Sequence, residues 1–251
     1  MSPKIMRLGV LCFAAVVCAL LVAAAASDRE IDLTLTTSDG VRVHGTYVSQ
    51  PGATGKGLIL LHMLRHERSD WRAFAATTQA AGYNSLAIDL RGHGHSLHTV
   101  DGRTLNLASF TDADFAAMIH DVDAAYQYLR QRADIDQAHV YIVGASIGAN
   151  LALNFAAAHP DGIKAVVLLS PGLDYHGVTT EAAAAKYSGR LLLYASHDDT
   201  YAYNSVQKLA QIAGAPRGLA RYFEGGGHGT DLLTAHAEMT GAIISWLNGI
   251  P

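Results

Sequence analysis

The 251-residue chain is half hydrophobic and only 16% charged, with 18 basic against 22 acidic residues. That composition supports a sizeable core and excludes a disordered chain, and the acidic balance leaves no basic footprint for nucleic acid. Both cysteines, Cys12 and Cys18, fall within residues 1–26, so the rest of the chain can hold no disulfide framework, thiolate metal site or cysteine nucleophile.

Lys4 and Arg7 precede an uncharged apolar run, Leu8 to Ala26, that ends in small residues. A basic start, an apolar middle and small residues before a polar stretch predict an export signal at residues 1–26, cut after Ala26. The exported protein would be periplasmic or secreted. The run is also long enough to span a bilayer, so a retained membrane anchor through residues 8–26 is the alternative. Residues 27–251 show no linker or repeat and are expected to form one domain.

From Ile31 onward, short apolar runs alternate with longer amphipathic stretches. Ile31–Thr36 and Val41–Val48 flank Thr37-Ser38-Asp39-Gly40 and predict a hairpin. Leu58–His62, Ser85–Leu90, Val140–Ala145, Ala165–Ser170, Leu191–Ser196 and Arg221–Glu224 are short and mostly hydrophobic, as strands of a doubly covered parallel sheet are. Helices are predicted near Ser69–Ala81, Phe110–Arg132, Ile147–Ala158, Tyr201–Ala213 and Asp231–Asn248. Trp71 and Phe74 share one helical face and are expected in the core. The alternation predicts an α/β fold, a mostly parallel sheet of about eight strands led by two antiparallel ones.

Gly144-Ala145-Ser146-Ile147-Gly148 fits G-x-S-x-G between a predicted strand and a predicted helix. A turn that sharp strains its central residue, and glycines on either side relieve the crowding. It would expose the Ser146 hydroxyl above the sheet edge, a nucleophile once a base takes its proton. Thirteen histidines compete for that role. His228, in Gly225-Gly226-Gly227-His228-Gly229-Thr230, follows the last strand at the edge where ligands of open α/β sheets gather. The imidazole needs an orienting carboxylate, and Ser196-His197-Asp198-Asp199, ending the preceding strand, supplies two candidates.

In chain order, Ser146…Asp198/Asp199…His228 resembles the α/β-hydrolase superfamily, and within it the small dienelactone-hydrolase-like and serine-aminopeptidase-like esterases. The resemblance implies Asp199 as the acid, with Ser196 in a usual glycine place and Asp198 as the alternative. Leu60-Leu61-His62-Met63-Leu64 resembles the family strand whose end forms an oxyanion hole; carried over, the backbone N–H groups of Leu64 and Ile147 would be its donors. Met63 stands where that pattern has glycine. Ala87-Ile88-Asp89-Leu90-Arg91-Gly92-His93-Gly94-His95-Ser96 looks like the family's D-x-R-G-x-G-x-S loop, which is structural. A lid would enter between Ser170 and Arg190, where Pro171–Gly189 leaves room for one short helix near Glu181–Tyr187 and no large cap.

The implied activity is cleavage of small carboxylic esters with short-to-medium acyl chains, through an acyl-enzyme and without a cofactor. A peptidase, thioesterase or lipase on the same triad, or a non-catalytic ligand-binding protein of this fold, are the alternatives. His93, His95 and His98 lack acidic partners at ligand spacing, so no metal is expected. His66, Glu67 and Arg68 read as a solvated loop. Tyr175, His176, Tyr201 and Tyr203 are candidates to line the pocket, and Gly52–Gly57 lacks phosphate-loop spacing.

Overall fold

Hairpin chemistry starts the sheet. Strands β1 (Glu30–Thr36) and β2 (Val41–Val48) pair antiparallel, from Glu30 opposite Val48 to Thr36 opposite Arg42. Gly40 turns the chain at φ +83°, and the Thr37 hydroxyl accepts the Val41 N–H at 2.8 Å. Alternation along β2 buries Val41, Val43, Gly45 and Tyr47 on one face. This computed structural model describes residues 30–50, 52 and 54–250. The expected signal or anchor at residues 1–26 therefore lies outside the described residues. Among those described, no helix is long and apolar enough to cross a membrane.

The buried runs form β3 (Gly55–Leu61), β4 (Tyr83–Ile88), β6 (Ile135–Ala145), β7 (Ala165–Leu169), β10 (Arg190–Ser196) and β11 (Gly218–Phe223). The main path of the sheet is β1-β2-β4-β3-β6-β7-β10-β11, parallel from β4 onward, with the short β5 (His98–Thr99) beside β2. Ser146, Asp199 and His228 follow the C-terminal ends of β6, β10 and β11, so one edge of the sheet receives all three.

Helices cover both faces. α1 is Arg72–Ala80, entered through a 3-10 turn at Arg68–Trp71. It packs with the C-terminal helix α8 (Met239–Asn248) on one face, where Trp71 and Phe74 are buried in edge-to-face contact. α3 (Ile119–Arg130), α4 (Ile147–Ala158) and α6 (Thr200–Ala213) cover the other face. Two predicted helices are broken. Thr111 and Asp114 cap a short α2 (Asp112–Ala116) that ends before α3. α7 (Asp231–Ala235) stops because His236 leaves helical geometry; its ring stacks on Phe223, centroids 3.7 Å apart, and its Nε2 meets the Gly225 carbonyl at 2.7 Å. The segment after Ser170 holds a small hairpin, β8 (Asp174–Tyr175) with β9 (Val178–Thr179), then the short α5 (Glu181–Lys186), and no large cap.

Buried ions pin the loop after β4. Asp89 is fully buried and accepts the N–H groups of Arg68 at 2.8 Å and His95 at 2.9 Å, together with the Arg68 guanidinium. Gly94 is required beside it, since a Cβ there would lie 2.4 Å from the Asp89 carboxylate. This corrects the expectation of a solvated Arg68, whose side chain is only 14% exposed. The chain spacing shows a charge in a loop and gives no sign of its distant partner. His93 packs against His62, centroids 4.9 Å apart, while His95 faces His44.

Candidate active site

The turn from β6 into α4 places Ser146 at φ +55° and ψ −120°, in the strained conformation that G-x-S-x-G predicts. Both glycines are sterically necessary. A Cβ on Gly144 would sit 2.3 Å from the Gly148 carbonyl oxygen, and one on Gly148 would sit 2.6 Å from the carbonyls of Leu61 and His62. The turn is thus wedged against the end of β3, the strand that leads to Leu64. Ser146 itself is 6% exposed.

Asp199 caps α6, accepting the Ala202 N–H at 3.3 Å, and its Oδ2 lies 2.5 Å from His228 Nδ1. Burial opposes its ionisation, but the hydrogen bond and charge of His228 outweigh that and hold the carboxyl below its ordinary pKa. An ionised carboxylate only accepts, so Nδ1 carries the proton and Nε2 is the free basic nitrogen. The His228 side chain is 37% exposed. No hydrogen bond joins Ser146 to His228 among the described residues; such bonds commonly tighten only when substrate binds. Asp198 turns the other way. It takes the Ser196 hydroxyl and, at 3.3 and 3.4 Å, the N–H groups of Gly226 and Gly227, so it braces the loop that carries His228.

Leu64 and Ile147, the expected oxyanion donors, have no acceptor for their N–H groups among the described residues. Leu64 lies in the turn Met63–His66, closed by the His66 N–H on the Met63 carbonyl at 3.2 Å. His62 braces the same turn: Nδ1 meets the Met63 carbonyl at 2.7 Å and Nε2 accepts the Leu90 N–H at 2.9 Å. Complete burial pushes its pKa down to about 3, so it stays neutral and structural.

Of the four pocket candidates, Tyr175 alone reaches the centre. Its ring meets the His228 ring edge-on at 6.2 Å, and its hydroxyl donates to the Ser170 carbonyl at 3.3 Å. Burial, with the Asp199 charge adding to it, raises its pKa, so it remains a phenol. Tyr201 supports it, ring to ring at 5.5 Å, while His176 stacks away on Phe115 and Tyr203 packs on His197. Two further positioning groups fall outside the motifs of the sequence. Asn150 on α4 holds the β8–β9 hairpin through Val178 O at 2.7 Å and Gly172 N at 3.0 Å. Ser170, buried at φ +49°, accepts the Gly229 N–H at 2.9 Å; its place at a strand end, like that of Ser196, is the one cue the chain offers. A cavity of about 400 Å³ between Val48, Arg68, Trp71 and Ala75 lies elsewhere, and none of Ser146, Asp199 and His228 lines it.

The family profile described as alpha/beta hydrolase fold matches residues 57–228. An uncharacterized protein of Mycobacterium tuberculosis is 28% identical over 186 residues, 72% of this chain and 57% of that protein. Epoxide hydrolase B of the same organism is 29% identical over 139 residues, 55% of this chain and 35% of its own. The chain thus spans little more than half the length of these curated relatives at most. Among solved structures, an esterase of Pyrococcus furiosus superposes with TM-score 0.70 at 17% identity, covering 88% of this chain and 92% of its own. A dienelactone hydrolase from Anabaena variabilis gives TM-score 0.66 at 20% identity, covering 87% and 94%.

Proposed function

Because this chain belongs to the alpha/beta hydrolase fold family, we propose that it is a serine hydrolase cleaving carboxylic esters of short-to-medium acyl chains. The observation that carries this is the 2.5 Å Asp199–His228 pair on the sheet edge that also presents Ser146 in its strained turn. His228 Nε2 takes the Ser146 proton as Oγ attacks the ester carbonyl. The resulting oxyanion receives the N–H groups of Leu64 and Ile147, a donor of this kind being worth about 3 kcal/mol in the transition state. His228 then protonates the leaving alcohol, and water releases the acid by the same steps in reverse order. Asp199 stays ionised throughout and holds the imidazole.

The similarity to epoxide hydrolases does not change the reaction class proposed. A serine oxygen opening an epoxide would leave an ether that water cannot hydrolyse, whereas an acyl carbon leaves a hydrolysable ester. The acyl range proposed rests on the small cover beside the site: Tyr175, on the two-residue strand β8 of a short hairpin, offers little apolar area. Each buried methylene is worth about 0.8 kcal/mol, so a site that cannot enclose a long chain gains nothing from it.

A fluorophosphonate probe tests the nucleophile: labelling at Ser146, abolished by Ser146→Ala, is expected, and labelling of neither protein overturns the proposal. In a series of p-nitrophenyl esters, butyrate should exceed laurate and palmitate. Rising activity toward palmitate, or a jump above its critical micelle concentration, would make the protein a lipase. Residues 1–26 further support export, for which a mature N-terminus at Ser27 is the expected finding and an intact chain in the membrane fraction the contrary one.

A further inference from the structure

Two contacts tie the turn that carries Leu64 to the residues directly after His228. The first is apolar. Gly229 has φ +60°, and a Cβ on it would lie 2.6 Å from Met63 Sδ, so the thioether lies against the space this glycine leaves empty. Met63 is only 5% exposed. A glycine at position 63 would leave the turn freer in backbone conformation and remove the side chain that fills the notch.

The second contact is polar. Asp70 Oδ2 accepts the Thr230 hydroxyl at 3.1 Å and meets His66 Nδ1 at 2.7 Å. Thr230 is 7% exposed and lies two residues after His228; His66 lies two residues after Leu64. Leu64 is therefore bracketed: Met63 before it presses on Gly229, and His66 after it is joined through Asp70 to Thr230. Gly229 is itself held from below by Ser170.

We propose that Met63 and Asp70 are positioning residues that lock the Leu64 turn to the His228 loop, so that oxyanion donor and base keep one mutual geometry. The proposal rests on the reading of Ser146 and His228 as a hydrolytic centre. Its physical basis is that transition-state stabilisation depends steeply on donor placement. Met63, the departure from the family pattern, is on this account half of a complementary pair with Gly229.

Thr230→Val keeps the buried volume and removes the hydroxyl that reaches Asp70, whereas Thr230→Ser keeps the hydroxyl. In Thr230→Val, kcat on p-nitrophenyl butyrate should fall by about tenfold with KM little changed, and Thr230→Ser should restore it. The rate ratio between that ester and its thionoester should also collapse in Thr230→Val, because sulfur accepts hydrogen bonds poorly and the ratio reports the oxyanion donors. Should Thr230→Val fail to fold, Asp70→Ala breaks the same bond from its solvent-facing end and is expected to behave alike. Met63→Gly should lower kcat and Met63→Leu preserve it. Wild-type kinetics in Thr230→Val, equal loss in both Thr230 variants, or lost kcat with an unchanged ester-to-thionoester ratio would each overturn the lock alone. Failure of the wild-type protein to label at Ser146 would overturn the hydrolytic reading, and the lock with it.

Discussion

Arg91 is gripped by two aspartates and His228 by one. Around Arg91, Nε and Nη2 meet Asp121 Oδ1 at 2.9 and 2.8 Å, Nη1 and Nη2 meet Asp39 at 2.6 and 2.9 Å, and the backbone N–H goes to Asp121 at 2.8 Å. The Arg91 side chain is 6% exposed and Asp121 is fully buried. Burial pushes Asp121 up to about 6 against the pull of Arg91, whereas on exposed Asp39 the bonds from Arg91 and Thr37 outweigh desolvation and hold the carboxyl down at about 2. Around His228 one nitrogen is held and the other has no partner among the described residues, on a side chain open to solvent. The two arrangements use the same carboxylate chemistry. In the first every guanidinium nitrogen is engaged, which fastens the β1–β2 turn, the loop after β4 and α3 together; in the second one ring nitrogen is left without a partner among the described residues.

Breaking each arrangement should therefore give opposite signatures. Ser146→Ala is expected to lower ester turnover by on the order of a thousandfold or more while the melting temperature stays put, because the Arg91 network is untouched. Asp199→Asn should cost several hundredfold in kcat by misorienting His228, and Asp198→Asn much less. Steady-state kinetics on both variants decides the assignment; a larger loss in Asp198→Asn would move the orienting role one residue back.

Asp121→Ala should reverse the pattern, costing about 3 kcal/mol in urea unfolding because it removes the buried carboxylate that takes Nε, Nη2 and the backbone N–H of Arg91. Per folded molecule, turnover should be close to normal. The smallest effect belongs to Asp39. Its carboxyl titrates at about 2 in the folded chain against 3.8 otherwise, so its contribution is complete above 3.8 and lost as pH falls through about 2. Unfolding curves across that window should flatten in Asp39→Asn relative to wild type. An unchanged slope would mean that Asp39 adds nothing to the grip on Arg91.

Local rules make much of this molecule legible in its sequence. Apolar runs at strand length, amphipathic periods at helix length and a hairpin turn ending in Gly40 lead to the α/β sheet, because secondary structure follows spacing along the chain. Gly144 and Gly148 mark the Ser146 turn because the crowding they relieve is local. The loop of Asp89 and Arg91 reads as structural from its motif, but its partners stay hidden there, since Asp39, Arg68 and Asp121 lie on other elements. The helices predicted as single stretches break where capping at Thr111 or the contact of His236 with Gly225 outweighs a continuous period.

The sequence by itself determined the fold class, the strained serine turn and the order of Ser146, the two aspartates and His228 along the chain, all of which are written in short spacings. Only the tertiary structure sets Asp199, and not Asp198, against His228. Adjacent residues on one turn point to opposite sides, and it is the packing of α6 and the glycine loop that sends one to His228 and the other to Gly226 and Gly227. The same holds for Tyr175 over His228, Met63 against Gly229 and Asp70 on Thr230. These are contacts between segments far apart in the chain, set by how the elements pack, and such contacts leave no periodic trace in the residues that make them.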